Sequence, residues 1–391
     1  ILFSKDSFKT KMEENYKRRG IEFLGFDSSP QVANDYNVKF LPDTQFIKLN
    51  LDKKKLNFKE SFMSTHSPGT PLFKSFFIET FKNKILIADY LGNIYSTEIS
   101  NIQDKKIKSL DLQNITSNLS VSKVLDILVD GEKLYVSFIK IKDECRNLHI
   151  VVAKINFESL NFKNFFNPKE CGEFVQGGRM QVYEHENKGG LLFTTSDSPN
   201  DKPNNKPQND ASIYGKILFI DFKNKKSLVF SKGHRNAQGL YVNKNLILST
   251  EHGPKSGDEI NKIIFNKNYG WPISSYGEKY ATYNNEKPIY LKNHSSEGFE
   301  EPIFAFVPAI GISEVINLPN SFSKHFEDNY IVSSLYGRSL HRIKFDKKFS
   351  KIIFNEKIFI GQRIRDLKYL QNLNLILLAL EDKGDLGILS R

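Results

Sequence analysis

Short apolar runs separated by turn residues recur along this chain. Between residues 75 and 99, Phe76-Phe77-Ile78 and Ile85-Leu86-Ile87-Ala88 flank a break at Asn83, and Leu91-Gly92-Asn93 leads into Ile94-Tyr95-Ser96-Thr97. Residues 124–157 repeat the scheme, with Leu125-Asp126-Ile127-Leu128, Asp130-Gly131, Leu134-Tyr135-Val136-Ser137 and Ile150-Val151-Val152-Ala153. Residues 179–222, 239–265, 313–345 and 364–389 do so again. Gly, Asn and Asp between β-prone runs mark hairpins. Six such units, spaced roughly 40 to 50 residues apart, suit the blades of a propeller. The expected fold is all-β: a six-bladed β-propeller over 71–391, behind a short α/β appendage over 1–70. A β-sandwich with a second domain is the alternative, and regular recurrence from residue 75 to residue 389 argues against it.

The first segment is different in kind. Asp6 or Ser7 suits the cap of a short helix carrying Phe8, Met12 and Tyr16 on one face, with Gly20 to end it. The chain starts at Ile1 rather than Met, so either a leader has been removed or the sequence is a fragment. No run approaches the ~20 apolar residues of a membrane helix. The net charge of +11 raises nucleic acid as a partner, but the lysines fall mostly in runs such as Lys223-Asn224-Lys225-Lys226 and Asp52-Lys53-Lys54-Lys55, which read as solvated turns. No RNA-binding sheet motif or zinc-finger spacing is present. Two cysteines, Cys145 and Cys171, permit one bridge, which implies an oxidising compartment; two unrelated buried thiols remain the alternative.

The chemistry is concentrated between residues 233 and 272. Gly233-His234-Arg235-Asn236-Ala237-Gln238-Gly239-Leu240 is followed by Glu251-His252-Gly253-Pro254, then Gly257-Asp258-Glu259-Ile260-Asn261, then Asn268-Tyr269-Gly270-Trp271-Pro272. One turn offers a guanidinium beside an amide, a second offers carbonyls at a Gly-Pro bend, and a third offers adjacent carboxylates. Such groups on loops of a rigid β-scaffold form binding sites. Taken in order, these motifs resemble the soluble pyrroloquinoline quinone (PQQ)-dependent sugar dehydrogenases, the glucose/sorbosone dehydrogenase family, over roughly residues 174–366. That resemblance implies a six-bladed propeller holding PQQ and calcium. It assigns cofactor contacts to Arg235 and Asn236. It also assigns them to Arg363 and Arg365 of Gly361-Gln362-Arg363-Ile364-Arg365-Asp366, two positions that share a strand face. The carbonyls of Gly253 and Pro254 are implied as ligands of the cofactor's calcium, and Asp258 and Glu259 as carboxylates near a second, structural calcium. Trp271 is expected to pack between blades.

Several positions depart from the family pattern. The catalytic histidine of H-x-G-G-R-L falls on Val175 in Val175-Gln176-Gly177-Gly178-Arg179-Met180, and valine accepts no proton. Asp197, matching the carboxylate that orients that histidine, and His252, beside the Gly-Pro bend, are the replacement candidates; His185 follows Glu184 in an expected exposed turn. A glutamine that touches the quinone becomes Ser122, and no clear counterpart of a fifth-blade lysine exists, leaving Arg338 to supply charge there. Tyr276, Tyr280, Tyr283 and Tyr290 lie in a long insertion that either stacks on a ring or packs on the surface.

The expected function is therefore a PQQ-dependent oxidoreductase of sugars, passing hydride from an aldose to a calcium-held quinone and electrons on to an external acceptor, in the periplasm or outside the cell. A catalytically silent propeller binding a sugar, an anionic ligand or a protein at the same face is the alternative. A lactonase-type propeller would need several Asp and Asn at a central calcium, and no such set stands out.

Overall fold

Alternating apolar and polar positions become strands, and the strands become six sheets, antiparallel except for one short parallel edge strand in three of them. The computed structural model describes residues 49–58, 73–143, 145–172, 175–196, 205–278, 290, 293–323 and 326–391. The expected helix around Phe8, Met12 and Tyr16, and the rest of 1–48, lie outside them. The first strands of the six sheets are Phe76–Phe81, Lys123–Asp130, Gly177–His185, Ala237–Asn243, Ile312–Leu318 and Ile364–Leu370. Each packs against the next in order, and the last returns to the first, so the sheets close into a ring around an axis. This is the six-bladed β-propeller read from the sequence. Apolar wedges fill the gaps between blades. Between the second and third, Leu125, Tyr135, Ile150, Val175, Met180, Phe193 and Leu218 form one buried cluster. The outer strand Ile352–Phe359 is exposed along most of its length and presents Ile353, Phe354 and Phe359 to solvent beside Glu356 and Lys357. Among the described residues no helix is long and apolar enough to cross a membrane.

Two findings could not be read from the pattern. Asn50–Leu56 is a strand, not a solvated turn. It pairs antiparallel with Asp385–Ser390 and completes the sixth sheet from upstream of residue 71. Its Lys54 is fully buried, and Nζ donates to the carbonyls of Asp104 and Ile107, both at 2.7 Å, while pairing with Asp52 at 2.9 Å. A buried amine with three oxygen partners is tolerated, and the lysine run concealed it. The second finding is a register shift near the start of five of the six inner strands, between Val124 and Asp126, Gly177 and Met180, Ala237 and Gly239, Ile312 and Val315, and Ile364 and Leu367. A bulge sets two residues against one and re-aims side chains. Here the bulges stand around the axis at one level. Cys145 and Cys171 form a disulfide, and the neighbouring Arg146 and Gly172 pair through their backbones.

Candidate functional site

The inner strands all begin at one face of the ring, and the candidate residues gather there. Arg235 precedes the fourth inner strand. Its Nη1 donates to the carbonyl oxygens of His252 at 3.1 Å and Gly253 at 2.7 Å. Its guanidinium lies 5.3 Å from the Trp271 ring, which in turn packs on Tyr290. Trp271 is thus buried, as expected, but it also orients Arg235. The turn is shaped by Glu251, a buried carboxylate that accepts from the backbone N–H groups of Arg235 and Asn236 and from Nδ1 of the buried His234 at 3.0 Å. That last contact fixes the imidazole tautomer, leaving Nε2 to accept from the Ser231 hydroxyl at 2.8 Å.

Asn236 connects to the sixth blade. Gln238 Nε2 donates to Asn236 Oδ1 at 2.8 Å, and Arg365 Nη1 donates to Gln238 Oε1 at 3.2 Å. Arg365 and Arg363 both pair with Glu381, through their Nε atoms at 2.8 Å and 2.6 Å. Burial alone would raise the Glu381 pKa, but Arg365 and Arg363 outweigh it and hold the carboxyl down at about 2. Arg363 also stacks over Phe73 at 4.1 Å. Arg338 sits at the rim, half exposed, 3.7 Å from Asp382. Two amides, Gln238 and Asn236, thus join Arg365 of the sixth blade to the turn that carries Arg235.

Beneath the opening the axis is plugged. The bulges aim Asp126, Arg179, Glu314 and Asp366 inward. Arg179 Nη1 lies 3.1 Å from Asp126, 3.1 Å from Glu314 and 2.9 Å from Asp366, and its Nε donates to the Gln238 carbonyl at 2.7 Å. Burial and then Asp366 push the Glu314 pKa up to about 7 despite Arg179. The buried Asp126 is likewise raised, Arg179 opposing and Asp366 and Glu314 adding to the effect of burial. Arg179 was visible in the sequence only as part of a Gly-Gly-Arg-Met string; its role as the axial hub was not.

Other expected positions fare unevenly. Val175 is buried in the wedge between blades two and three, and the next residue, Gln176, lines the opening. Ser122 turns away: its hydroxyl accepts from the Ile141 N–H at 3.0 Å, and its neighbour Lys123 lines the opening instead. His185 is buried rather than exposed, 4.5 Å from Phe265 and 5.4 Å from Phe230, at the far end of its strand. Asp197 lies outside the described residues, as do Tyr280 and Tyr283. His252 bonds through Nε2 to the Ile312 carbonyl; burial lowers its pKa, Asp258 opposing and Arg235 assisting. Asp258 is a clamp. It accepts from the N–H groups of Gly253 at 3.1 Å and of Ile310 and Ile312 at 3.0 Å, which fixes the Gly-Pro turn. A side chain at Gly253 would collide with the backbone of Ser256 and Gly257. Glu259 points elsewhere on the same strand, bonded by Asn261 at 3.2 Å, and burial and then Glu251 raise its pKa well above the ordinary range. Among the described residues no group of three or more His, Cys, Asp or Glu side chains is arranged to hold a metal. The Gly253 carbonyl is a hard donor of the kind calcium takes, and its present partner is Arg235. Glu251, Gln238 and Glu381 were missed; only the string Gly-His-Arg-Asn followed by Glu-His-Gly-Pro hinted at the first.

The sequence profile described as glucose/sorbosone dehydrogenase matches residues 77–389. An uncharacterised protein of Synechocystis sp. is 30% identical over 193 residues, 46% of each chain. The aldose sugar dehydrogenase YliI of Escherichia coli is 28% identical over 172 residues, 43% of this chain and 45% of that one. The matched part thus spans about half the length of these curated relatives. The solved PQQ-bound form of an aldose sugar dehydrogenase from Streptomyces coelicolor superposes with a TM-score of 0.59 at 18% identity, covering 88% of this chain and 98% of that one; at that identity the likeness is one of fold.

Proposed function

The chain belongs to the glucose/sorbosone dehydrogenase family, and from that premise we propose that the opening binds PQQ and that the protein oxidises an aldose there. What supports this reading is the pairing of Arg363 and Arg365 on Glu381, with Arg365 joined through Gln238 to Asn236, the neighbour of Arg235. Guanidinium groups grip carboxylates through paired hydrogen bonds, which suits a ligand with three carboxylates. When bound, the ortho-quinone supplies a two-electron acceptor for hydride. Arg363 and Arg365 are pre-oriented by Glu381, so little side-chain freedom is lost on binding. Asn236 and Gln238 offer neutral polar groups beside them. Calcium at the Gly253 carbonyl would compete with Arg235 for the same oxygen, releasing that guanidinium toward a ligand carboxylate. The disulfide fits a periplasmic or secreted protein, and electrons leave to an external acceptor.

Reconstitution tests the reading. PQQ added with calcium should bind, and excess aldose should then bleach the oxidised quinone absorbance. Binding without reduction supports a silent anion-binding propeller, which the burial of Val175 favours. Absence of binding overturns both.

A further inference from the structure

Three of the sheets are sealed at their outer edges in the same way. Ser109–Leu110 runs parallel beside Asn50–Leu56, Ser159–Leu160 beside Gln113–Ser117, and Lys267–Asn268 beside Ser227–Lys232. Each short strand comes from the following blade, out of the connection between its third and fourth strands. Each brings a buried apolar side chain with it. Leu110 shares a buried cluster with Leu56, Leu160 with Ile115, and Tyr269 with Phe230. Blade three has no such strand to give. Its third and fourth strands, Lys216–Asp221 and Ser227–Lys232, are joined by the tight turn 222–226, where the Asp221 N–H donates to the Lys226 carbonyl at 3.0 Å. The outer strand of blade two, Lys163–Phe166, is therefore left without a covering strand among the described residues.

Beside that strand lies a groove of about 1040 Å³. It reaches Lys82, which follows the first inner strand at its far end, so it opens on the face opposite the mouth. Lys82, Lys133, Lys154, Lys163 and Lys225 line it, with Glu132 the one acidic residue among the lining groups. Glu132 pairs with Lys154 at 3.2 Å, both largely in water; among the described residues the other four lysines make no ion pair. Phe165 lies 5.3 Å from Tyr135 and 6.1 Å from Phe222, and these rings give the groove an apolar floor. The Asn164 carbonyl accepts from Lys225 Nζ of blade three at 3.4 Å, a long contact that a backbone N–H would improve on. We propose that this groove takes an extended acidic segment of a partner protein. The segment pairs with Lys163–Phe166 as the short strands pair elsewhere, sets an apolar side chain on the aromatic floor and places its carboxylates among the lysines. Strand addition draws affinity from main-chain hydrogen bonds and selectivity from side chains. The corresponding turn of blade five, 346–351, is also tight, but the strand it leaves uncovered, Phe304–Phe306, has three residues and no charge. A segment bound here leaves the mouth open, so it anchors the protein without blocking the arginines.

Fluorescence anisotropy on the whole chain tests this with a labelled probe, the peptide Glu-Leu-Glu-Val-Glu-Leu-Glu. The probe should bind, and more weakly as salt is raised. The same peptide with Lys in place of Glu should bind at least about 10-fold more weakly. A fully N-methylated probe keeps the carboxylates and apolar side chains but offers no main-chain donor, and it should lose at least about 10-fold as well. Lys154→Glu and Lys163→Glu together, both at exposed positions, should weaken the parent probe about 10-fold or more. Equal binding of the N-methylated probe overturns the strand pairing. Unchanged binding to the double variant overturns the groove as the site. No binding of the probe, or preference for the acidic polysaccharide polygalacturonate over it, overturns the proposal as a whole.

Discussion

Glu381 is buried between two guanidinium groups and held ionised, while Glu314, a short way down the axis, is held protonated toward neutrality. The two titrate in opposite senses, which gives the protein a stability optimum in mildly acidic solution. Glu381 has a folded pKa of about 2, below its ordinary value near 4.5. Its contribution is present above about pH 4.5 and is lost as pH falls toward 2, a matter of about 3 kcal/mol. Glu314 has a folded pKa of about 7. Its contribution is full below about pH 4.5 and declines as pH rises through 7. Thermal melting across pH should show both arms; E381Q should flatten the acid arm and E314Q the neutral one. R235A removes a guanidinium that holds the Gly253 carbonyl and that the proposed function assigns to PQQ. PQQ should bind about 10- to 100-fold more weakly, the loss of one or two charge-assisted hydrogen bonds, as read by equilibrium titration.

Blade number and order were legible because each element announces itself with an apolar run and a Gly, Asn or Asp turn. What was not legible depended on positions where the period of two breaks. The aligned position of the histidine, Val175, reads as a mouth residue, yet the chain puts it in the wedge beside Tyr214 and Met180. Ser122 and Lys123 trade places for the same reason: one residue of offset reverses which side chain faces the axis. V175H should therefore add no activity. It should lower stability by about 2 kcal/mol through a buried, poorly bonded imidazole, whereas Q176H places the ring in the opening at little cost. The closing strand Asn50–Leu56 escaped because four of its seven residues are charged, and what fixes it is the edge offered by Asp385–Ser390. The disulfide belongs to this scale too. It closes a loop of sequence separation 26, so converting Cys145 and Cys171 to serine should cost about 3 kcal/mol in denaturant titrations.

Across the whole molecule, the ring is a series of wedges with no free radial edge once the sixth sheet is complete. Asp385–Ser390 lies between Leu375–Leu380 and Asn50–Leu56 and bonds to both. A chain ending at residue 384 should lose a single cooperative transition in calorimetry, since the sixth sheet then no longer ties Asn50–Leu56 to Leu375–Leu380. Synthesis then poses a timing problem. The ribosome makes residues 50–56 long before their partner at 385–390, so a nascent chain carries two unsealed flanks until that partner is made. Export in an unfolded form, with closure deferred to the destination, would spare the chain a long exposure of those flanks in the cytosol.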